Sequence, residues 1–175
     1  MMGKILAGVI VIAALVAGVS MYYLQVYAYY DEIVATGVDD VQMTALSSGL
    51  PEPIVYEDFK AIDSESSPIR YRACFTTPHS QAMLSETFQS YDQAEPLIAP
   101  GWFDCFDAKA IGAALESGQA LAFMGTPDIH YGIDRIVAVL PDGRGFVWHQ
   151  INRCGKVVFD GQPAPADCPP APEGY

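Results

Sequence analysis

The sequence predicts an α+β protein: an N-terminal single transmembrane helix, then a compact domain with a mainly antiparallel sheet and one or two helices. Three stretches predict it. Ile5 to Leu24, "ILAGVIVIAALVAGVSMYYL", carries no charge over twenty residues. At about 1.5 Å of rise per residue, a helix of that length spans about 30 Å, the thickness of a bilayer's hydrocarbon core. "IRYRACFT", Ile69–Thr76, alternates apolar and polar positions as a half-buried strand does. "DRIVAVL-PDGR-GFVWHQI" places an Asp-Gly turn between two apolar runs, a hairpin signal.

Taken in order, the first segment (1–35) is a membrane anchor with an aromatic belt. Tyr22, Tyr23, Tyr27, Tyr29 and Tyr30 follow the apolar run, and Asp31 and Glu32 come next. Tyrosine has an apolar ring and a polar tip, so it collects where hydrocarbon meets water. Lys4 precedes the span and acids follow it, which puts the N-terminus in the cytoplasm and the rest outside. A cleaved signal peptide shares the basic start and apolar run, but its core is shorter. Tyr23, Tyr27 and Tyr30 are spaced i, i+4, i+7 and fall on one helix face. Gly8, Ala14 and Gly18 are small, and Ala14-x-x-x-Gly18 suits close packing on a partner helix.

Residues 36–67 read as an acidic extended arm, with one short strand near "PIVYEDF". The chain holds 9 basic and 21 acidic residues, net −12. Between Asp31 and Glu65 nine carboxylates stand against Lys60 alone, a net of −8. Nucleic acid is thereby excluded as a partner, since phosphate binding needs clustered Lys and Arg. A basic protein partner fits the field, although acids in such a run also simply keep a surface soluble.

The folded domain is expected over 68–156. "SQAMLSETFQSY" predicts a short helix capped by Ser80, packing through Met83, Leu84 and Phe88. Asp107 caps a second helix that runs to about Ser117, with Ala110, Ile111, Ala114 and Leu115 inward and Gly118 ending it. "QALAFMG" follows as a strand. In the hairpin, an Asp142-Gly143 two-residue turn sets Val139 against Phe146, Val137 against Trp148 and Ile136 against His149. Both of its faces are apolar, so it belongs in the middle of the sheet. Residues 157–175 form a Pro-rich tail.

Cys74, Cys105, Cys154 and Cys168 all lie beyond the span. An even set outside the membrane suggests disulfides. Of three possible pairings, Cys74–Cys105 with Cys154–Cys168 is favoured, because the second bridge staples the tail. No Cys-x-x-Cys, Gly-x-Ser-x-Gly, His-Glu-x-x-His or phosphate-binding Gly loop occurs, so no metal, cofactor or catalytic set is expected. His130, with Asp128 and Asp134 nearby, is the one acid–base candidate; His149 sits in the apolar hairpin and His79 in a turn. Arg70 and Arg72 fall on one side of their strand, where two guanidiniums clamp an anion or answer internal acids. Trp102, Phe103 and Phe106 crowd around Cys105 as core plugs or as an interface.

The stretches "GKILAGVIVIAALVAGVSMYYLQVYAYY", "PGWFDCFDA" and "DGRGFVWHQINRCGK" together resemble an uncharacterised alphaproteobacterial family of short anchored proteins with one exported domain. The resemblance implies the bacterial inner membrane and periplasm; it implies no activity. The function expected is that of an accessory subunit or assembly factor in an integral membrane protein complex. A respiratory or other electron-transfer host is the favoured setting, with a basic c-type cytochrome steered by the acidic stretch. The alternatives are a periplasmic ligand-binding or sensor module using Arg70, Arg72 and Trp102–Phe106, and an anchored hydrolase using His130.

Overall fold

The computed structural model describes residues 2–172, so the end of the expected tail, 173–175, lies outside it. The chain forms two compact units, one ending at Asp31 and the other starting at Glu32. The first is helix α1 (Met2–Val26), apolar on every side and with no buried residue. It is long and apolar enough to cross a bilayer, as an anchor or a signal sequence does. Tyr23 and Tyr27 stack at 5.9 Å, as their i, i+4 spacing requires. Tyr30 departs from the expected stripe, because the helix stops at Val26 and a turn follows. There the helix-favouring residues give way to Val and Tyr, which suit extended backbone better.

After β1 (Asp31–Ile33), which begins at the boundary, the second unit holds β2 (Gln42–Thr44), β3 (Pro51–Pro53), β4 (Glu57–Asp63), β5 (Arg72–Thr76), α2 (Gln81–Thr87), α3 (Ala108–Glu116), β6 (Leu121–His130), β7 (Ile133–Val139), β8 (Arg144–Ile151) and α4 (Arg153–Phe159). The main sheet has six strands in the order β1-β4-β5-β8-β7-β6, and β2 and β3 pair separately. From β4 to β6 every pairing is antiparallel. Both β7 and β8 are interior strands, as two apolar faces demand.

One face of the sheet, with Ala61, Ala73, Phe75, Val147, Val137, Val139 and Phe123, packs on Val41, Met43 and Ala45 and on Leu84 and Phe88. The other face carries Trp148, Phe146 and Ile136, and Phe106 meets Phe146 and Trp148 edge-on at 5.9 and 6.3 Å. Helix α2 is capped by Ser80, whose side chain accepts from the Met83 N–H. Asp107 caps α3 through Lys109 and Ala110, and Gly118 follows with φ +72°. Ile111 and Ala114 are buried as expected, but Ala110 faces solvent.

Four expectations are corrected. First, residues 36–67 are not an extended arm. They supply β2, β3 and β4, and Val41, Met43, Ala45, Ile54 and Ala61 enter the core. The short alternation Val41, Met43, Ala45 drives this, because each such side chain gains roughly 1–3 kcal/mol on burial.

Second, the hairpin register is shifted by one residue: Val139 faces Gly145, Val137 faces Val147, Ile136 faces Trp148 and Arg135 faces His149. Pro141 is the cause. A two-residue turn would make Pro141 a ladder partner of Arg144, and proline has no N–H to give. The chain closes instead with a three-residue loop, in which Leu140 pairs with Arg144 and the Gly143 N–H donates to the Leu140 carbonyl. Gly143 takes φ +87°, and a Cβ there would lie 2.5 Å from the Thr77 oxygen.

Third, β5 begins at Arg72, so the strand is shorter than Ile69–Thr76. Fourth, the domain continues into α4, which the tail was expected to replace. Asn152 caps α4 by accepting from the Gly155 N–H. Gly155 lies so close to Gly132 that a Cβ on it would be 2.2 Å from the Gly132 oxygen.

Both disulfides are Cys74–Cys105 and Cys154–Cys168. The first spans 31 residues and ties the loop before α3 to β5. On the chain-entropy account, a bridge of that span contributes about 3–4 kcal/mol.

Candidate functional site

The register places a rank of polar side chains across one end of the core face. Arg135 on β7 lies opposite His149 on β8 and opposite Thr126 on β6. Continuing the β4–β5–β8 pairing by one residue sets Tyr71 beside His149 and Asp63 beside Tyr71. His130 pairs with Ile133 and so shares this face.

The rank is organised around a buried imidazole. His149 stacks on Tyr71 at 4.8 Å and is 2% exposed. Its Nδ1 lies 2.7 Å from the Pro68 carbonyl, which can only accept, so Nδ1 carries the proton. Its Nε2 accepts from Arg135 Nε at 3.0 Å. Both bonds require the neutral ring. Burial, and then the charge of Arg135, push the His149 pKa down to about 3, against a weaker opposing pull from the Pro68 carbonyl. The Arg135 guanidinium lies 4.3 Å above the Tyr71 ring. Burial pushes the Tyr71 phenol up to about 12. Asp63, at the far end, is raised by burial, which outweighs the Ser64 N–H it accepts and the charges of Arg135, His130 and Arg72. His130 closes the other end, 6.1 Å from His149 and exposed.

The residues singled out from the sequence are dispersed. Arg72 is 3% exposed and donates to the carbonyls of Ile69, Tyr71, Leu97 and Ile98 at 2.7–3.3 Å. Its guanidinium holds the incoming loop, so the expected Arg70–Arg72 clamp for an anion is corrected. Arg70 precedes β5 and lies at the surface boundary. Phe103 and Phe106 are core plugs. Trp102 instead helps wall a groove of about 460 Å³ with Ile33, Phe59 and Ile62. On α1, Gly8 and Gly18 have open space where a Cβ would sit.

The acid–base set proposed for a hydrolase does not assemble. His130 and Asp134 fall on opposite faces of the sheet. Asp134 accepts from the Asp128 N–H at 2.9 Å and from Asn152 Nδ2 at 2.9 Å. Asp128 accepts from the Gly132 N–H and also from Asn152. The two carboxylates therefore bind the β6–β7 turn to the cap of α4. His79 is a loop residue whose N–H donates to Thr77. Among the described residues no group of three or more His, Cys, Asp or Glu is placed to hold a metal ion.

The sequence reading missed Asp63, Tyr71, Thr126 and Arg135. The signal for Arg135 lay in the hairpin itself, since a three-residue loop puts it opposite His149.

A family model matches residues 41–169, from the start of the β2 region to beyond α4. The chain belongs to DUF6446, a family of unknown function. The DUF6446 match takes in the segment 41–67, in keeping with its place in the core. No curated protein and no solved structure matches the chain.

Proposed function

We propose that the protein is a single-pass bacterial inner-membrane component with a cytoplasmic N-terminus and a periplasmic domain. It acts as an accessory subunit or assembly factor of a larger membrane complex. The observation that carries this reading is α1. It is apolar all round, none of its residues is buried, and the positions of Gly8 and Gly18 are open. Such a helix suits lipid on most sides and a close helix partner on one, with Ala14 and Gly18 at the seam, while Tyr23 and the stacked Tyr27 begin from the opposite face.

Two disulfides support an oxidising compartment for the domain. Seven of the nine carboxylates between 31 and 65 are exposed (Asp31, Glu32, Asp39, Glu52, Glu57, Asp58 and Glu65), which favours a basic partner. A c-type cytochrome, with a respiratory complex as host, fits that charge.

The test exchanges Ile5–Leu24 for an unrelated span of equal length. Anchoring persists, while comigration with the host complex on native gels falls about tenfold, the loss that roughly 1–2 kcal/mol of helix packing represents. Unchanged comigration would assign docking to the domain alone.

A further inference from the structure

We propose that Arg135 is the recognition residue of a small site for a carboxylate monoanion, built on the rank Asp63, Tyr71, His149, Arg135, Thr126 and His130. The inference is independent of the accessory-subunit reading, since it uses no residue of α1.

The guanidinium is oriented before any ligand arrives. Its Nε donates to His149 Nε2 at 3.0 Å and its central carbon lies 4.3 Å from the Tyr71 ring centroid, and both supporting rings are buried. Held through Nε, a guanidinium still has both Nη groups to offer, in the fork geometry that suits a carboxylate. Among the described residues those Nη groups make no hydrogen bond and no ion pair within 4.0 Å. Beside Arg135 in the ladder, the Thr126 hydroxyl is buried and has no hydrogen-bond partner. A buried hydroxyl in that condition costs about 1–3 kcal/mol, which a χ1 rotation that turns it onto a bound oxygen would recover. His130 stands exposed at the rim, a second donor for the same ligand.

Asp63 sets the charge of the ligand. Its Oδ1 accepts from the Ser64 N–H, and it forms no ion pair with Arg135 within 4.0 Å. A fixed carboxylate at one end of the rank repels further negative charge, so a monocarboxylate is favoured over a phosphate dianion. The ligand is then either a free small carboxylate or the carboxyl terminus of a peptide.

The experiment is an NMR titration of the full chain in detergent micelles at pH 7.5, following the Arg Nε–H and His ring signals. The probes are acetate, inorganic phosphate, trialanine with a free terminus and trialanine amide. Acetate is expected to shift the Arg135, His149 and His130 signals saturably in the millimolar range. Phosphate is expected to bind about tenfold more weakly, and Arg135→Gln to abolish the response while Arg135→Lys weakens it about tenfold. Tighter binding of trialanine than acetate, with none for the amide, identifies a peptide terminus; equal or tighter acetate binding identifies a free carboxylate.

Asp63→Asn is expected to remove the preference against phosphate, and it tests the site even where Arg135→Gln fails to fold. The proposal is overturned by the absence of saturable shifts up to about 50 mM acetate, or by equal shifts in Arg135→Gln. Unchanged phosphate selectivity in Asp63→Asn overturns it as well.

Discussion

Replacing Arg72 by methionine lowers the unfolding free energy of the sheet domain by about 4 kcal/mol or more. Methionine fills most of the volume, so packing changes little. The loss lies in the carbonyls. Ile69, Tyr71, Leu97 and Ile98 all accept from this guanidinium, and each bond to a charged donor is worth about 1.5–3 kcal/mol net. The cost of burying the charge offsets part of that sum, which brings the expected value to about 4. The same segment is pinned from the other side by Gln150, whose amide donates to the Gln93 carbonyl and accepts from the Glu95 N–H. Loosening therefore starts at 95–98 and spreads to Phe106 on Trp148. Arg72→Lys recovers about half, because one ammonium cannot span four acceptors. Urea unfolding in micelles, read from the fluorescence of fully buried Trp148, measures both variants. A cost below about 1 kcal/mol for the methionine variant would mean that water replaces the guanidinium.

Acid is expected to destabilise the domain through His149. The unfolded imidazole titrates near 6.5 and the folded one at about 3. Between those values the unfolded chain binds a proton that the folded chain refuses, so stability rises with pH across the window. The contribution is complete above 6.5 and is lost as pH falls toward 3, on the order of 4 kcal/mol in all. Asp63 works in the opposite direction. Its carboxyl is raised by burial, so the folded state takes that proton more readily and regains a little stability in acid. Urea midpoints at pH 7.5, 6.0 and 4.5 should fall in that order. His149→Gln, which does not titrate, should flatten the decline while lowering the midpoint at pH 7.5 through lost stacking on Tyr71. An equally steep decline in that variant would assign the acid response to other groups.

The parts of the fold legible in the sequence were those governed by local rules. Ser80 and Asp107 announce their helices because a cap needs only the next three residues. The β7–β8 hairpin is announced by apolar runs about a Gly turn, but its register hung on Pro141, whose missing N–H excludes the two-residue loop. In 36–67 the strand expected near "PIVYEDF" is β4, but a high density of acids concealed β2 and β3, since Val41, Met43 and Ala45 form too short an alternation to outweigh Gly and Pro nearby. Helix α4 was illegible for a different reason. "RCGKVVF" has poor helix propensity, and beyond the local Asn152 cap tertiary features hold it: the Gly132–Gly155 approach and Cys154–Cys168. The polar rank was invisible because it runs across strands. Asp63 and His149 share it only through the order β4-β5-β8-β7-β6, which no periodicity along the chain encodes.

The measurement that tests the central claim most directly is mass spectrometry of the intact tagged protein purified from membranes in a mild detergent. The account predicts one integral membrane complex recovered in fixed stoichiometry, retained at a salt concentration that strips loosely bound basic proteins. Recovery of the protein alone, at the mass of a single chain, would contradict it.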